Sequence, residues 1–490
     1  MTTKHAPLKI GWAARDVTPA KSVNLQGQFH MRISKGIKDP LTVTALALSA
    51  GDSVVFVSCD APYIPAVIYA RCRAAVRAKA PEIDVNKIIM HGTHTHTAPQ
   101  IVDNIFYPPV PPGIMTPEEY AELFVGRVAE AVAEAWQNRE TGGASFGLGT
   151  AMVGHNRRAT YFGDIGARTN AQTTGKFTDG FTKMYGSTDD PMFSHIEGYE
   201  DHYLDLMFTW NRSRQLTGII VNLACPSQET ESDVYVSADF WHEIRTEIRK
   251  RHGDKIQILA QCSTAGDQSP HRLWYKAAEE RMLKLRGLSM RQEIGRRVAN
   301  AVDDVLPVAG QDIQAALSLK HIVKDIDLPR RLITDAEADT VRKDLAKLEA
   351  AESAAPAKNK MHSSIGRCRD TLARYELQKK YPNDRMELHV LRLGDLAFAT
   401  NRFELFLDYG MRIKARSPAA QTFLVQLAGE GSYLPTARAV AGKGYSGGVY
   451  DNLVGPEGGQ ALVETTVKTL QELWSETEEK TQIRKAANHE

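Results

Sequence analysis

Short β-branched runs alternate with helix-forming stretches over most of the chain, and several of these runs stop at polar turns. Ser53–Cys59 (SVVFVSC) and Lys87–Met90 are such runs, and Leu41–Ser49 alternates apolar residues with Thr and Ser. This is the pattern of buried strands. Between them, Ile64–Ala80 is rich in Ala and Arg and ends before Pro81. Thr116-Pro117-Glu118-Glu119 offers a cap, a proline at the first helical position and acids in the first turn of a helix to about Arg139. Further on, Leu204–Trp210 and Thr217–Leu223 are expected to pair antiparallel, Phe240–His252 to be a helix and Ile256–Ala260 a strand. Residues 278–305 are expected as helix, Glu387–Leu393 and Leu396–Thr400 as strands, and the regions around Phe403–Arg416 and Gly459–Glu476 as helices. The alternation predicts an α/β fold, a mixed β-sheet core flanked by helices.

Two segments stand outside this alternation. Residues 159–200, rich in Gly, Thr and Asp, read as a long surface loop of the kind that carries function. Residues 335–381 are dominated by Ala, Glu, Lys, Arg and Leu, interrupted at Ala355-Pro356, and predict an inserted, charged helical hairpin that could serve oligomerisation. The rest, 1–334 and 382–480, reads as one domain.

Composition excludes several function classes. Sixty Lys and Arg against 59 Asp and Glu leave a net charge of +1 and no field for nucleic acid. Five cysteines over 490 residues make no disulfide framework. No run approaches the roughly 18 apolar residues of a membrane span, and the start MTTKHAPLKIGWAARD has no apolar core of a signal peptide. These features lead to the expectation of a cytoplasmic protein without stable membrane insertion. The glycine-rich segments contain neither a dinucleotide fingerprint nor a Walker lysine motif.

Six places could carry chemistry. His94-Thr95-His96 follows the Lys87–Met90 strand, and two histidines two apart on extended chain face one side, where they suit a metal and a substrate. A polar turn bonding its own backbone explains them as well. Gly266-Asp267-Gln268-Ser269-Pro270 could expose a serine hydroxyl, or be a tight turn with Asp267 on the backbone. Cys225, ahead of Pro226 at another strand end, could be a zinc thiolate or a buried free cysteine, and His242 nearby a ligand or a helix-surface residue. Glu404 sits between aromatic residues and needs a partner, a metal or a salt bridge. Asn156-Arg157-Arg158 could bind a carbonyl or anionic oxygen, and Tyr433 and Tyr445 lie in the glycine-rich stretch 429–459.

Taken in order, Asp16-Val17-Thr18-Pro19, Gly27, Asp39-Pro40-Leu41, Thr93-His94-Thr95-His96-Thr97, Asn156-Arg157, Gly266-Asp267-Gln268-Ser269-Pro270, Tyr433 and Tyr445 resemble the neutral ceramidase family in its catalytic N-terminal domain, over about residues 8–470. The resemblance implies that fold and an amidase with one zinc ion. Its ligands would be His94, Cys225, Glu404 and Tyr433, with Cys225-Pro226 standing where the family has His-Pro; the alternative is His242 or a water in place of the thiolate. It further implies His96 on the substrate side, Ser269 as nucleophile or contact to a substrate hydroxyl, and Arg157 and Tyr445 at the scissile amide. His271 stands where the family has asparagine. The family's C-terminal immunoglobulin-like domain and secretion signal are not seen in this sequence, which turns the expectation from ceramide toward a soluble small molecule. The resulting expectation is a metal-dependent hydrolase of an amide or related acyl bond. The alternatives are a hydrolase of an ester or glycosidic bond in a sugar-like substrate, and a non-catalytic binding or scaffold protein that associates with copies of itself.

Overall fold

The computed structural model describes residues 6–172, 178–354 and 361–487. Two sheets and four groups of helices make up its body. The larger sheet has eight strands in the order Gln257–Cys262, Leu216–Leu223, Tyr203–Asn211, Glu140–Thr150, Lys9–Asp16, Thr42–Ser49, Ser53–Cys59 and Ile88–Gly92. Its two outermost pairs are parallel and the remainder antiparallel. The second sheet runs Leu319–Pro329, Asn383–Leu393, Leu396–Thr400 and Gln421–Val425, with the last pair parallel.

The period-2 alternation of strands explains the layering. In Thr42–Ser49, Val43, Ala45 and Ala47 join a core with the helices Ala66–Lys79 and Pro117–Gln137, while Leu46 and Leu48 join a second core on the opposite face. That second core also holds Ile220, Met207, Leu391, Leu393 and Phe398, so it is the seam between the two sheets. Phe56 meets Phe398 there with ring centroids 5.0 Å apart. Helices Phe240–His252 and Met290–Ala309 cover the other half of the large sheet around Phe208, Ile219 and Val221. Helices Leu407–Arg416 and Pro456–Ala487 cover the outer face of the small sheet around Leu388, Val390 and Ala399. The mixed sheet core flanked by helices is as expected.

Several local readings change. The segment 159–200 is not one loop: Arg158–Tyr161, Thr182–Met184 and Phe193–Ile196 form a small sheet, whose strands are too short to show a period. The helix expected over 278–305 is two, Lys276–Arg286 and Met290–Ala309, divided at Gly287 in the left-handed region. Glu404 lies on a two-residue strand rather than in a helix. The hairpin is present as Asp335–Ala354 and His362–Leu377; the break expected at Ala355-Pro356 lies outside the described residues. The hairpin is folded down onto the protein: Arg374 donates to the carbonyls of Asn452 at 2.7 Å and Val449 at 2.9 Å. No helix among the described residues is long and apolar enough to cross a membrane.

One buried carboxylate joins strand ends to a helix. Asp60, just past Ser53–Cys59, receives both guanidinium nitrogens of Arg245 at 2.7 and 2.9 Å. It also accepts from Thr42 N at 2.8 Å and Oγ1 at 3.0 Å. Replacing Arg245 by alanine strands this charge in the interior. We expect a loss of about 3–5 kcal/mol, read as a lower denaturant midpoint at unchanged slope; an unchanged midpoint contradicts it.

Candidate active site

The segment that follows Ile88–Gly92 turns sharply. His94 has φ +64°, a strained conformation for a residue with a side chain. Its N–H is held by Ala61 O at 3.0 Å, and its Nδ1 lies 2.8 Å from Pro62 O. A carbonyl only accepts, so the imidazole proton is on Nδ1 and Nε2 carries a lone pair. That lone pair faces Glu404 Oε2 and His96 Nε2, each at 3.3 Å. Thr93, Thr95 and Thr97 anchor the turn: Thr95 and Thr97 hydroxyls donate to Ser237 O at 2.8 and 2.9 Å.

Glu404 reaches this point because Glu404–Leu405 pairs in parallel with Tyr433–Leu434, setting Glu404 opposite Tyr433. Burial acts to raise the Glu404 pKa, but the positive charge around it, the Arg157 guanidinium included, outweighs burial and holds the carboxylate below its usual range. Tyr433 is pushed the other way by burial and by Glu404, so its phenol keeps its proton. Arg157 is buried; its Nη2 donates to Tyr433 Oη at 3.0 Å and to Gly266 O at 2.9 Å, and its Nη1 to Gln228 Oε1 at 3.2 Å. Tyr445 packs edge-on to Tyr433, centroids 5.3 Å apart, and burial pushes its hydroxyl up to about 12.

Ser269 joins the site through the pairing of His155–Asn156 with Gln268–Ser269. Its Oγ hydrogen-bonds with Tyr185 Oη at 2.9 Å and accepts from His271 N at 3.1 Å. Asp267 does what a turn residue would do and more. It accepts from Leu407 N at 3.0 Å and from Asn156 Nδ2 at 2.8 Å, and burial lifts its pKa to about 6.

Seven of the eight site residues read from the sequence therefore converge: His94, His96, Arg157, Ser269, Glu404, Tyr433 and Tyr445. Cys225 does not join them. The chain leaves Leu216–Leu223 with that side chain turned into the helix-covered core beside Phe240 and Ile219, its sulfur 3.4 Å from Pro226 O. Burial raises its thiol well above the usual value, which disfavours a thiolate. His242, half-buried on its helix, shows no side-chain contact with His94 among the described residues. The donors at hand for a metal are thus His94 Nε2, Glu404 and the Tyr433 oxygen. An imidazole with Nδ1 on a backbone carbonyl and Nε2 turned toward other potential donors, here Glu404 and His96, is an arrangement that suits a metal ligand. The set is chemically apt for zinc yet one donor short, and among the described residues no three His, Cys, Asp or Glu side chains gather as a metal-binding group.

Sequence reasoning missed Gln228, Glu231, Tyr185 and Arg367. Gln228 Nε2 is 2.8 Å from His96 Nε2, and Glu231 Oε2 is 3.3 Å from His96 Nδ1. Both follow Cys225 closely in a strand-end segment, which was the one available signal. Arg367 comes from the helical hairpin, pairs with Asp451 and lies 5.0 Å above the Phe29 ring and 5.9 Å from that of Tyr445.

No protein-family model and no curated protein matches the chain. Among solved structures it is similar to neutral ceramidase from Pseudomonas aeruginosa, with a TM-score of 0.65 and 16% identity over 94% of this chain and 74% of that one. A ceramidase complexed with C2 gives 0.63 and 15% with the same coverage.

Two substitutions test this geometry. Gly27, at φ +115°, has no room for a side chain, since a Cβ would stand 2.4 Å from the His96 ring. Gly27→Ala should cost about 1–3 kcal/mol and displace that ring, seen in a crystal structure and a thermal melt. Cys225→Ala should leave the bound-metal content of the purified protein unchanged; loss of metal on this substitution would return the thiol to the site. The likeness to the two solved ceramidases extends over nearly the whole chain, and the protein has the neutral ceramidase fold.

Proposed function

We propose that the protein is a metal-dependent hydrolase that cleaves an amide or related acyl bond in a small polar molecule. The observation that carries this reading is the meeting of His94 Nε2, His96 Nε2 and Glu404 Oε2 within 3.3 Å steps. Lone pairs crowd there around a space suited to a cation. His94, Glu404 and Tyr433 would hold a zinc ion, which when bound supplies Lewis acidity toward an acyl oxygen or a water.

The chain's own groups divide the remaining work. Arg157 is a fixed positive charge, and Tyr445 keeps its proton, so both can donate to an oxygen that gains negative charge. His96 Nε2 can take a proton from the attacking oxygen and return it to the departing amine. Ser269 has a phenol and a backbone N–H as partners and no imidazole base, which favours a role in holding a substrate hydroxyl over attack. The five cysteines are all buried and free, in keeping with the cytoplasmic location we propose with this activity.

The substrate reading rests on the cavity at Tyr445. It measures about 220 Å³ and is lined by Gln172, Asp179, Lys183, Met184 and Tyr445. Lys183 donates to Asp179 at 3.1 Å in its wall, so the lining joins a paired polar edge to the apolar surfaces of Met184 and Tyr445, and a small molecule with both characters suits it. The same cavity favours, as a second reading, an ester or glycosidic bond in a sugar-like molecule.

His94→Ala should abolish hydrolysis and remove the bound metal, measured by elemental analysis and by turnover on a panel of N-acyl, O-acyl and glycosidic substrates. Unchanged metal and unchanged turnover would falsify the metal-hydrolase reading. No metal and no hydrolysis in the parent protein after zinc addition would mark it as a binding or scaffold protein.

A further inference from the structure

The helix Lys276–Arg286 buries none of its eleven residues. A helix of that length is marginal on its own in water, and in a folded protein an apolar face packed on the core makes up the difference. Here the hold on the body is electrostatic. Glu279 pairs with Arg272 at 3.1 Å and also with Arg297, and Arg286 donates to Glu293 at 2.7 Å. The start of the helix adds no support, since Tyr275 precedes it at φ +57° without a side-chain cap bond.

The outward side carries what a core-facing stripe would carry. Ala278, Met282 and Leu285 follow one another at the four- and three-residue steps that share a helix face. Leu285 is 65% exposed and Met282 38%. Just ahead of the helix, the Trp274 and Tyr275 rings lie against each other with centroids 4.6 Å apart, and both are exposed. Lys276, Arg281, Lys284 and Glu280 share this surface, and none of them forms an ion pair among the described residues. Three cations against one acid leave the arm a surplus of +2, where the whole chain carries only +1.

We propose that Trp274–Arg286 is a docking arm for an anionic lipid surface: Trp274, Tyr275, Met282 and Leu285 enter the headgroup layer, and Lys276, Arg281 and Lys284 meet its phosphates and carboxylates.

Charge selects the occupant. A second copy of the chain would set the same surplus against itself, and like charges across an interface repel. An anionic surface neutralises it. Shape selects lipid over an acidic protein. The arm stands out from the body, so a protein partner would need a groove cut to its contour, whereas a fluid headgroup layer needs no matching form. Aromatic rings and long-stemmed cations beside apolar side chains are the composition of helices that lie in the interface. Attachment of this kind rests on the bilayer and requires no spanning helix. Ser269 lies five residues before Trp274, so docking holds that edge of the candidate site near the surface. The inference goes beyond the hydrolase reading and does not depend on it.

The test is co-sedimentation of the full-length protein with vesicles of phosphatidylcholine, with and without phosphatidylserine. The parent should bind only the phosphatidylserine vesicles, and added salt should release it. Lys276→Ala and Lys284→Ala should each weaken binding about fivefold. Leu285→Glu should abolish it. These side chains are exposed, so thermal melts should match the parent; Trp274→Phe, milder still, should remove the blue shift of tryptophan emission seen on vesicle addition. Failure of the parent to bind, equal binding to both vesicle types, or undiminished binding by Leu285→Glu overturns the proposal. So does a dimer, seen by sedimentation velocity, that Leu285→Glu converts to monomer, because a second copy then covers the arm. Vesicle binding by a protein that hydrolyses nothing would uphold the docking arm and remove only the hydrolase reading.

Discussion

The assembly of the site depends on a carboxylate that takes no part in it. Asp60 lies wholly buried beyond the end of Ser53–Cys59 and collects the Arg245 guanidinium together with donors from Thr42. Thr93 Oγ1, one residue ahead of His94, lies 3.3 Å from the same carboxylate. The strand ends, the Phe240–His252 helix and the root of the histidine turn are thereby fixed to one point. A charge in that position is tolerable only because every lone pair has a donor. The strained backbone of His94 is sustained by this rigid surrounding, with Ala61 and Pro62 supplying the two carbonyls that complete the turn.

Much of this could be seen in the sequence because it is local. His94 and His96 follow a strand directly, and the Thr116 cap forms with Glu119 as the motif implies. What stayed hidden depends on distant chain. Glu140–Thr150 runs through the large sheet with four glycines, and nothing local marks it as a strand. The glycines are there because a Cβ at Gly142 would meet the Trp210 carbonyl at 2.2 Å and one at Gly147 the Val305 side chain at 2.4 Å. Likewise Gln228 contacts a histidine 132 residues away and an arginine 71 residues away. Its neighbourhood NLACPSQ drew the eye to the sulfur instead.

At Cys225 the local chemistry and the backbone direction point different ways. A cysteine ahead of proline at a strand end has the right chemistry for zinc, and the family resemblance gives it a role. The backbone nevertheless turns its side chain toward the helices, where sulfur serves as a small apolar group. Three residues on, the chain comes back to the site and offers an amide and then a carboxylate. The segment still serves the same pocket, through different atoms and at the other histidine.

The hairpin that carries Arg367 grows out between two paired strands, leaving after Pro329 and returning at Asn383, which are partners in the ladder. Its removal or exchange would leave both sheets with their hydrogen bonds, while changing what lies above Tyr445. The hairpin is thus an insertion that could be exchanged as a unit, with the cluster around His94 and Glu404 left in place beneath it.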